Sequence, residues 1–235
     1  MTLKIENFDF CDFGCSKGGS IKFGVDVLGG RRGLGIDIDK RKVESSIKAG
    51  YEAIIGDFCN LNLPEKCVDF SLLSHVLEHL ATLNHAKAAI RNAIKISDKF
   101  VFIQGPYFDA DDYLKSLGLK FYWSDWTGHP LHFTTQHMIG ILDQLEVKNY
   151  EVYARVKLEK SDVAEIHPFS SPKDQHGYEL EKHGQKPIIT FSEPIFKEVM
   201  GIIWLSDRIS NVKNIRQRTQ KFLLQKKGVL FPIAV

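Results

Sequence analysis

Short β-rich runs alternate with helical patterns over the first hundred residues of the chain. The predicted strands are 8–13, 34–38, 52–55, 68–74 and 99–104, and the predicted helices are 16–28, 40–49 and 85–96. The run 68–74 is almost uncharged, as is typical of a strand buried on both faces. Because parallel neighbours in a sheet need a crossover connection, the alternation predicts an α/β fold with a Rossmann-like, doubly wound, mostly parallel sheet.

The pattern loosens after residue 106. Residues 107–133 are aromatic and polar without a clear period, and we interpret them as an irregular lid or insertion, the lid segment. The alternative is that its aromatic side chains only pack as a satellite core. The chain then predicts a helix over 134–145, a strand over 149–158, a polar loop over 160–186 and an antiparallel strand over 187–191. Glu193-Pro194 predicts the start of a C-terminal helix, with apolar positions at Ile195, Val199, Ile202, Ile209 and Val212. We expect one domain over 1–210 and a basic extension over 211–235.

The composition is that of an ordinary globular chain. Of the 235 residues, 43% are hydrophobic and 26% are charged, which excludes disordered and fibrous proteins. No run of 18 apolar residues occurs, and charged residues alternate with apolar ones at the N-terminus, so neither a membrane span nor an export peptide is predicted. The four cysteines form no C-x-x-C pair, and we expect reduced thiols and a cytoplasmic protein.

Basic residues are concentrated near the C-terminus, although the net charge is only +2. No acidic residue follows Asp207, whereas the basic residues after it include Lys213, Arg216, Arg218, Lys221, Lys226 and Lys227. We interpret this segment as a solvated helix face. An anionic acceptor, a membrane surface or nucleic acid is the alternative partner.

The ends of the predicted strands carry the candidate chemistry, because ligands of an open parallel sheet gather at the carboxyl ends of its strands. The residues at these ends are Asp12, Gly14, Cys15, Ser16 and Gly18 after the first strand, Asp37 and Ile38 after the second, Asp57 and Phe58 after the third, and Ser74 and His75 after the fourth. A glycine turn lets a ligand approach the backbone closely, and the helix that follows offers free N–H groups.

Three carboxylates among these residues indicate which ligand is bound. The turn lacks the G-x-G-x-x-G pattern of dinucleotide sites, and Asp12 would repel a pyrophosphate but attract an ammonium group. Asp37 can accept both hydroxyls of a ribose, and Asp57 is placed for an adenine amino group. A ligand with an amine, a ribose and an adenine but no phosphate is S-adenosylmethionine.

Several motifs occur in order over residues 8–106: Asp12-x-Gly14-Cys15-Ser16-x-Gly18, Gly35-Ile36-Asp37, Gly56-Asp57, Leu63-Pro64, and the run 68–80 with its S-H-V-L-E-H sequence. Together with a further match at 129–134, they resemble class I S-adenosylmethionine-dependent methyltransferases. The resemblance implies a seven-stranded sheet with an antiparallel last strand. It also implies that Asp12 and Gly14 border the methionine part, Asp37 the ribose, and Asp57 with Phe58 the adenine, while Ser74 and His75 line the methyl-transfer pocket. Ser16 stands where the family more often has glycine.

Methyl transfer to oxygen profits from a base that removes the hydroxyl proton. Histidine suits this work near neutral pH, and our candidates are His75 first and His132 second. The alternative is that positioning of the acceptor next to the reactive sulfonium suffices.

A metal site is the alternative interpretation of the S-H-V-L-E-H run. His75 lies three and four residues before Glu78 and His79, and with His129 or His132 these residues could ligate a divalent cation. The arrangement resembles the E-x-x-E-H site of ubiquinone-pathway and small-RNA 3′-end methyltransferases, with His75 in place of the first acid. We predict no metal. His167, His176 and His183 lack ligand spacing and are expected on a surface loop.

The sequence therefore predicts a methyltransferase that acts on a small acceptor under the lid segment. An oxygen of a sugar or glycan precursor is our hypothesis for the methylated atom, because the S-H-V-L-E-H and H-x-x-H-F-T motifs resemble methyltransferases of that kind. The alternatives are an RNA or other nucleic-acid methyltransferase that uses the basic C-terminal helix, and a degenerate cofactor-binding module. The chain lacks the N/D-P-P-Y/F tetrapeptide typical of amino-methylating enzymes.

Overall fold

A computed structural model describes residues 5–206, 217–218 and 231–232 of the chain. Its strands are β1 (Phe10–Phe13), β2 (Gly33–Asp37), β3 (Glu52–Ile55), β4 (Val68–Ser74), β5 (Ser97–Pro106), β6 (Leu119–Phe121), β7 (Tyr150–Lys160), β8 (Ile166–Pro168), β9 (Thr190–Trp204) and β10 (Phe231–Pro232). Its helices are α1 (Gly19–Phe23), α2 (Lys40–Lys48), α3 (Leu83–Ile96), α4 (Asp111–Ser116), α5 (Thr135–Gln144) and α6 (Leu180–His183). A π-helical turn (Gly24–Leu28) continues α1, and Ile5–Asn7, Phe58–Asn60 and Leu77–His79 are single 3₁₀ turns.

The central sheet has the strand order β10-β7-β9-β5-β4-β1-β2-β3. Strands β1 to β5 pair in parallel, whereas β9 is antiparallel to both β5 and β7. The predicted doubly wound sheet of seven strands with one antiparallel member is confirmed. The two residues of β10 add a short antiparallel edge beside β7. Most of the proposed extension 211–235 lies outside the described residues.

Apolar side chains bury both faces of the sheet. On one face Phe10, Phe70 and Phe100 lie side by side on β1, β4 and β5, with ring centroids 4.7 and 4.6 Å apart. The other face packs against α3, whose buried positions follow the three-to-four spacing of an amphipathic helix and are Ala86, Ala89, Ile90, Ala93 and Ile96. Within the described residues, no helix combines the length and the apolar character needed to cross a bilayer.

The helix predicted from Glu193 is wrong. Residues 190–204 instead form β9, which lies between β5 and β7 in the sheet. A central strand buried on both faces has an almost continuous apolar run, and three-to-four spacing within such a run does not distinguish helix from strand. Pro194 is tolerated because the pairing with β7 passes from Ile195 directly to Thr190, so its missing N–H costs no ladder bond. Ile209 and Val212 lie outside the described residues.

The lid segment and the loop after β7 form one structure. Strand β6 from the lid segment pairs antiparallel with β8 from that loop, with Lys120 opposite His167. Beneath them lies a separate apolar cluster that includes Leu114, Phe121 and Ile166. The loop after β7 is therefore anchored to the lid segment.

Candidate functional site

The carboxyl ends of β1, β2 and β4 border a cavity of about 760 Å³, which we call the first cavity. This volume lies within the range of about 300–1,000 Å³ that is typical of small-molecule sites. Seven of the ten predicted cofactor-binding residues line the cavity, namely Gly14, Cys15, Ser16, Asp37, Ile38, Phe58 and Ser74. Asp12, Gly18 and Asp57 are not among its lining residues.

The turn after β1 has three residues with a positive φ. They are Gly14 (φ 74°), Ser16 (φ 47°) and Gly18 (φ 90°). A Cβ atom on Gly14 would lie 2.4 Å from the Val76 side chain, so only glycine fits this position. Ser16 adopts the left-handed conformation without being glycine, which makes it a locally strained residue of the cavity wall.

Asp37 holds this turn against the end of β2. Its side chain accepts hydrogen bonds from the backbone N–H groups of Ser16 (3.0 Å) and Asp39 (2.9 Å). Each carboxylate oxygen has a second lone pair, and Asp37 lines the first cavity. The side chain is therefore oriented by the protein and can still accept hydrogen bonds from ligand hydroxyls.

Asp12 is completely buried beneath the cavity rather than exposed in it. One carboxylate oxygen accepts a hydrogen bond from the Ser20 hydroxyl at 2.5 Å, and Ser20 itself lines the cavity. The other oxygen has no hydrogen-bond partner among the described residues. Burial raises the pKa of Asp12 to about 7, with a smaller contribution from the charge of Asp37. The carboxylate of Asp12 is therefore connected to the cavity through the Ser20 hydroxyl.

Asp57 is exposed at the start of the 3₁₀ turn after β3. Its carboxylate accepts hydrogen bonds from the Cys59 N–H (2.9 Å) and the Asn60 side-chain amide (2.6 Å). The neighbouring Phe58 lines the cavity and its ring stacks on Phe13, with centroids 5.4 Å apart. In the structure, the apolar ring of this Asp-Phe pair is the part that borders the cavity.

His75 follows β4 and has a positive φ of 51°. Its Nδ1 atom lies 3.6 Å from Oε1 of Glu78, and its Nε2 atom lies 3.5 Å from the Gln104 amide nitrogen. Burial lowers the pKa of His75, but contact with Glu78 and the charge of Glu198 outweigh burial, so the net pKa is raised. The structure thus places a histidine of raised proton affinity in the cavity wall.

A second cavity of about 350 Å³ lies beside the first. Both cavities are lined by His75, His79 and Glu198. The further lining residues of the second cavity are Glu78, Pro106, Tyr122, Trp123, Trp126, His129, Glu165, Gln175 and Lys197. Three aromatic residues of the lid segment therefore face a set of carboxylates, with His75 between the two cavities.

Gln104, Arg155 and Glu198 also line the first cavity, and sequence analysis missed all three. Arg155 on β7 pairs across the sheet with Glu198 on β9, and its Nε donates a hydrogen bond to the Glu198 carboxylate at 2.8 Å. Gln104 donates to the same carboxylate at 3.3 Å. The mistaken helix from Glu193 concealed this contact, because only a strand places Glu198 opposite Arg155.

His132, the second candidate base, lines neither cavity. Its Nδ1 atom lies 2.8 Å from Oδ2 of Asp111, and its ring stacks on Phe108 with centroids 4.7 Å apart. Contact with Asp111 raises its pKa. Because it is held by these partners away from the cavities, the structure does not support His132 as a base.

The alternative metal ligands also differ from those predicted. Ligand atoms of Glu78, His79 and His129 lie within 4.8 Å of one another, whereas His75 and His132 are not in this group. Nδ1 of His79 lies 2.6 Å from the Gly128 carbonyl and Nδ1 of His129 lies 2.9 Å from the Trp123 carbonyl, which leaves Nε2 of each ring for a ligand. Among the described residues near the cavities, this is the group that could hold a cation.

Comparison with known proteins agrees with the geometry. Residues 11–102 match the model of the methyltransferase domain family. No curated protein matches the chain in sequence.

Three solved structures share the fold. A possible histamine N-methyltransferase from Thermotoga maritima is 16% identical to this chain, with a TM-score of 0.51. The alignment covers 85% of this chain and 83% of the Thermotoga chain. An S-adenosylmethionine-dependent methyltransferase from Archaeoglobus fulgidus is 16% identical, with coverages of 83% and 85% and a TM-score of 0.55. One from Methanosarcina mazei is 13% identical, with coverages of 87% and 95% and a TM-score of 0.52.

At these identities the structural matches establish the fold, and the domain match applies to residues 11–102. Apart from the two-residue edge strand β10, the sheet has the seven strands and the antiparallel last strand that the resemblance implied. Residues 11–102 thus form a methyltransferase domain, and the chain as a whole has the fold of the class I S-adenosylmethionine-dependent methyltransferases.

Proposed function

We propose that this methyltransferase methylates an oxygen of a small hydroxylated acceptor, such as a sugar or a glycan precursor, in the second cavity. The observation that carries the proposal is the shared wall of the two cavities, where His75, His79 and Glu198 contact both. An acceptor in one cavity would therefore lie next to a cofactor in the other. Positioning of this kind supplies a large part of the rate of a two-substrate reaction.

The lining of the second cavity suits a sugar. The apolar C–H face of a sugar ring packs well on the broad rings of Trp123 and Trp126, since aromatic side chains bury a large apolar area. Carboxylates accept hydrogen bonds from hydroxyl groups, and Glu78, Glu165 and Glu198 provide them in the same cavity. A cavity with an apolar wall and a few polar groups is typical of a specific small-molecule site.

The first cavity suits S-adenosylmethionine. In our proposal Asp37 accepts hydrogen bonds from the ribose hydroxyls, while Ile38 and Phe58 border the adenine with Asp57 at its edge. The methionine part lies along Gly14, Cys15, Ser16 and Ser74, with Gly18 supporting the turn. Ser20 faces the ammonium group and is itself held by the carboxylate of Asp12.

His75 is the proposed catalytic base. When bound, S-adenosylmethionine supplies a methyl group made electrophilic by the sulfonium. Nε2 of His75 would take the proton of the acceptor hydroxyl during methyl transfer. Glu78 and Glu198 stabilise the resulting imidazolium, and for this reason they raise the pKa of His75.

Two measurements test this proposal. Calorimetry should show that S-adenosylhomocysteine binds the wild type and binds Asp37→Ala at least about ten-fold more weakly, because a good hydrogen bond to a charged group contributes about 1.5–3 kcal/mol. A panel of sugars, sugar nucleotides, small phenols, amines and RNA is then assayed with labelled methyl donor. Transfer to a sugar oxygen supports the proposal. Salt-sensitive transfer to RNA, or transfer to an amine alone, overturns it.

A further inference from the structure

A second group of metal-ligand side chains lies in the structure formed by the lid segment and the loop after β7. His167 is on β8, Asp174 is in the loop that follows, and His183 ends α6. One ligand atom from each lies within 4.8 Å of those from the other two. The sequence suggested that these histidines lie on a surface loop, but the structure buries both, with His167 0% and His183 3% exposed.

His167 is a buried polar side chain without a partner. Neither of its ring nitrogens has a hydrogen bond within the part of the chain that the structure describes. A buried polar group left unpaired costs about 1–3 kcal/mol, and such a group in a folded protein calls for an explanation.

His183 and Asp174 are already oriented beside it. Nε2 of His183 lies 2.9 Å from a carboxylate oxygen of Asp174. Nδ1 of His183 contacts the Glu179 backbone, at 2.8 Å from its nitrogen and 3.0 Å from its oxygen. The other Asp174 oxygen accepts a hydrogen bond from the His176 N–H at 2.9 Å. Contacts of this kind to the outer atoms of a ligand fix its orientation in metal sites.

We propose that His167, Asp174 and His183 form a binding site for a divalent transition metal, for which zinc is the best match. Two imidazole nitrogens and one carboxylate oxygen are ligands that zinc accepts, with a water completing a tetrahedron. Magnesium and calcium prefer oxygen ligands throughout. On binding, the metal takes the place of the proton between Nε2 of His183 and Asp174, and the ring keeps its proton on Nδ1, which donates to the Glu179 carbonyl.

Three lysine ammonium groups near the site could compete with a metal ion for its ligands. Lys182 lies 2.6 Å from the Asp174 carboxylate, but its side chain is 40% exposed and can turn to solvent. Lys186 donates hydrogen bonds to the Val163 and Ile166 carbonyls, and Lys120 to Asp125 and the Ser171 carbonyl. A metal therefore needs to displace only Lys182.

The metal would act as a cross-link beside the second cavity. It would join β8 to the loop at Asp174 and to the end of α6. Gln175, which follows Asp174, lines the second cavity, as does Tyr122, whose ring centroid lies 6.0 Å from that of His167. Metal binding would thus fix one wall of the cavity in place, while the metal itself stays outside both cavities.

The test uses the full chain, stripped with a chelator and titrated with Zn²⁺ by calorimetry. We expect one equivalent to bind and the melting temperature to rise, since a ligand that binds only the folded state stabilises it. Asp174→Asn and His183→Gln should bind Zn²⁺ at least about ten-fold more weakly. His176→Gln, in the same loop but with an exposed ring, is the matched control and should bind like the wild type.

Three outcomes would overturn the proposal. In the first, the wild type binds Zn²⁺ no more tightly than Asp174→Asn does. In the second, His176→Gln loses as much Zn²⁺ affinity as Asp174→Asn does. The third is loss of binding in Glu78→Gln but not in Asp174→Asn, which would place the metal at Glu78, His79 and His129 instead. If the variants do not fold, X-ray absorption of the zinc-loaded His129→Gln protein decides, because the proposed site should still supply two imidazoles at about 2.0–2.1 Å. A spectrum with fewer than two imidazoles contradicts the proposal.

Discussion

Arg155 and Glu198 lie opposite each other on β7 and β9, and their side chains form an ion pair in the wall of the first cavity. Arg155 is only 2% exposed, so its charge is stabilised by nearby hydrogen-bond acceptors instead of by solvent. Glu198 also lines the second cavity and contributes to the raised pKa of His75. One carboxylate therefore connects the sheet, the candidate base and the proposed acceptor site.

Replacement of Glu198 by glutamine should lower the free energy of unfolding by roughly 2–5 kcal/mol, because a buried charge loses its counter-charge. We expect the lower part of this range, since the Glu198 side chain is 24% exposed. Chemical denaturation measures the change. Glu193→Gln, on the exposed part of the same strand, is the control and should differ little from wild type. An equal loss of stability in both variants would contradict the importance of the pair.

The activity should depend on pH through His75. A base must be neutral to accept a proton, and Glu78 and Glu198 raise the pKa of His75 above its usual 6.5. We therefore expect kcat/KM to rise with pH until it reaches a plateau. The midpoint of this rise should lie above pH 6.5. Glu78→Gln should move the midpoint to lower pH, because it removes the negative charge that favours the imidazolium.

His75→Gln should lower kcat by about 10²–10⁴-fold, the usual contribution of a general base. Its affinity for S-adenosylhomocysteine should change little. His176→Gln serves as the control. A His75→Gln enzyme with nearly wild-type kcat would instead support transfer by positioning alone.

Gly14 and Ser16 both have a positive φ but should respond in opposite ways to substitution. Gly14→Ala should destabilise the fold by about 1–3 kcal/mol, because its Cβ would lie 2.4 Å from the Val76 side chain. Ser16→Gly removes a left-handed strain of about 1–2 kcal/mol but adds about 0.5–1 kcal/mol of unfolded-state entropy. We expect its melting temperature to be unchanged or raised, and a clear fall would show that the Ser16 side chain has a structural role.

Asp12 should make stability fall as pH rises from about 4 to 8. Burial raises its pKa from 3.8 to about 7, so the folded state holds a proton that the unfolded state has already released. The stabilisation is complete below pH 3.8 and is lost as pH passes through 7, with a total on the order of 4 kcal/mol. Asp12→Asn should lack this dependence. Parallel stability curves for the two proteins between pH 4 and 8 would show that Asp12 is ionised in the fold.

Much of the fold follows from local patterns. Strands β3 and β4 have the predicted limits, and α3 begins at Leu83 rather than at His85 because Thr82 caps it. The carboxyl ends of successive parallel strands meet at one edge of a sheet. For this reason the motifs around Gly14, Asp37 and Phe58 could be assigned to one cavity without coordinates.

Other parts of the site depend on contacts between distant segments. Lys120 and His167 are neighbours only because β6 pairs with β8, and nothing local in either segment indicates that pairing. His129 and His132 both belong to the lid segment, yet only His129 lines a cavity, because His132 is held by Asp111 and Phe108.

The sequence by itself determined the class of fold, the glycine turn and the acids at the strand ends, since these depend on residue type and on spacing over a few residues. Only the tertiary structure decided that Glu198 meets Arg155, that Asp12 is buried behind Ser20, and that His167, Asp174 and His183 lie together. These relations join residues that are seven to more than forty positions apart. They are settled by the register of β9 and by burial, which a pattern of apolar residues does not encode.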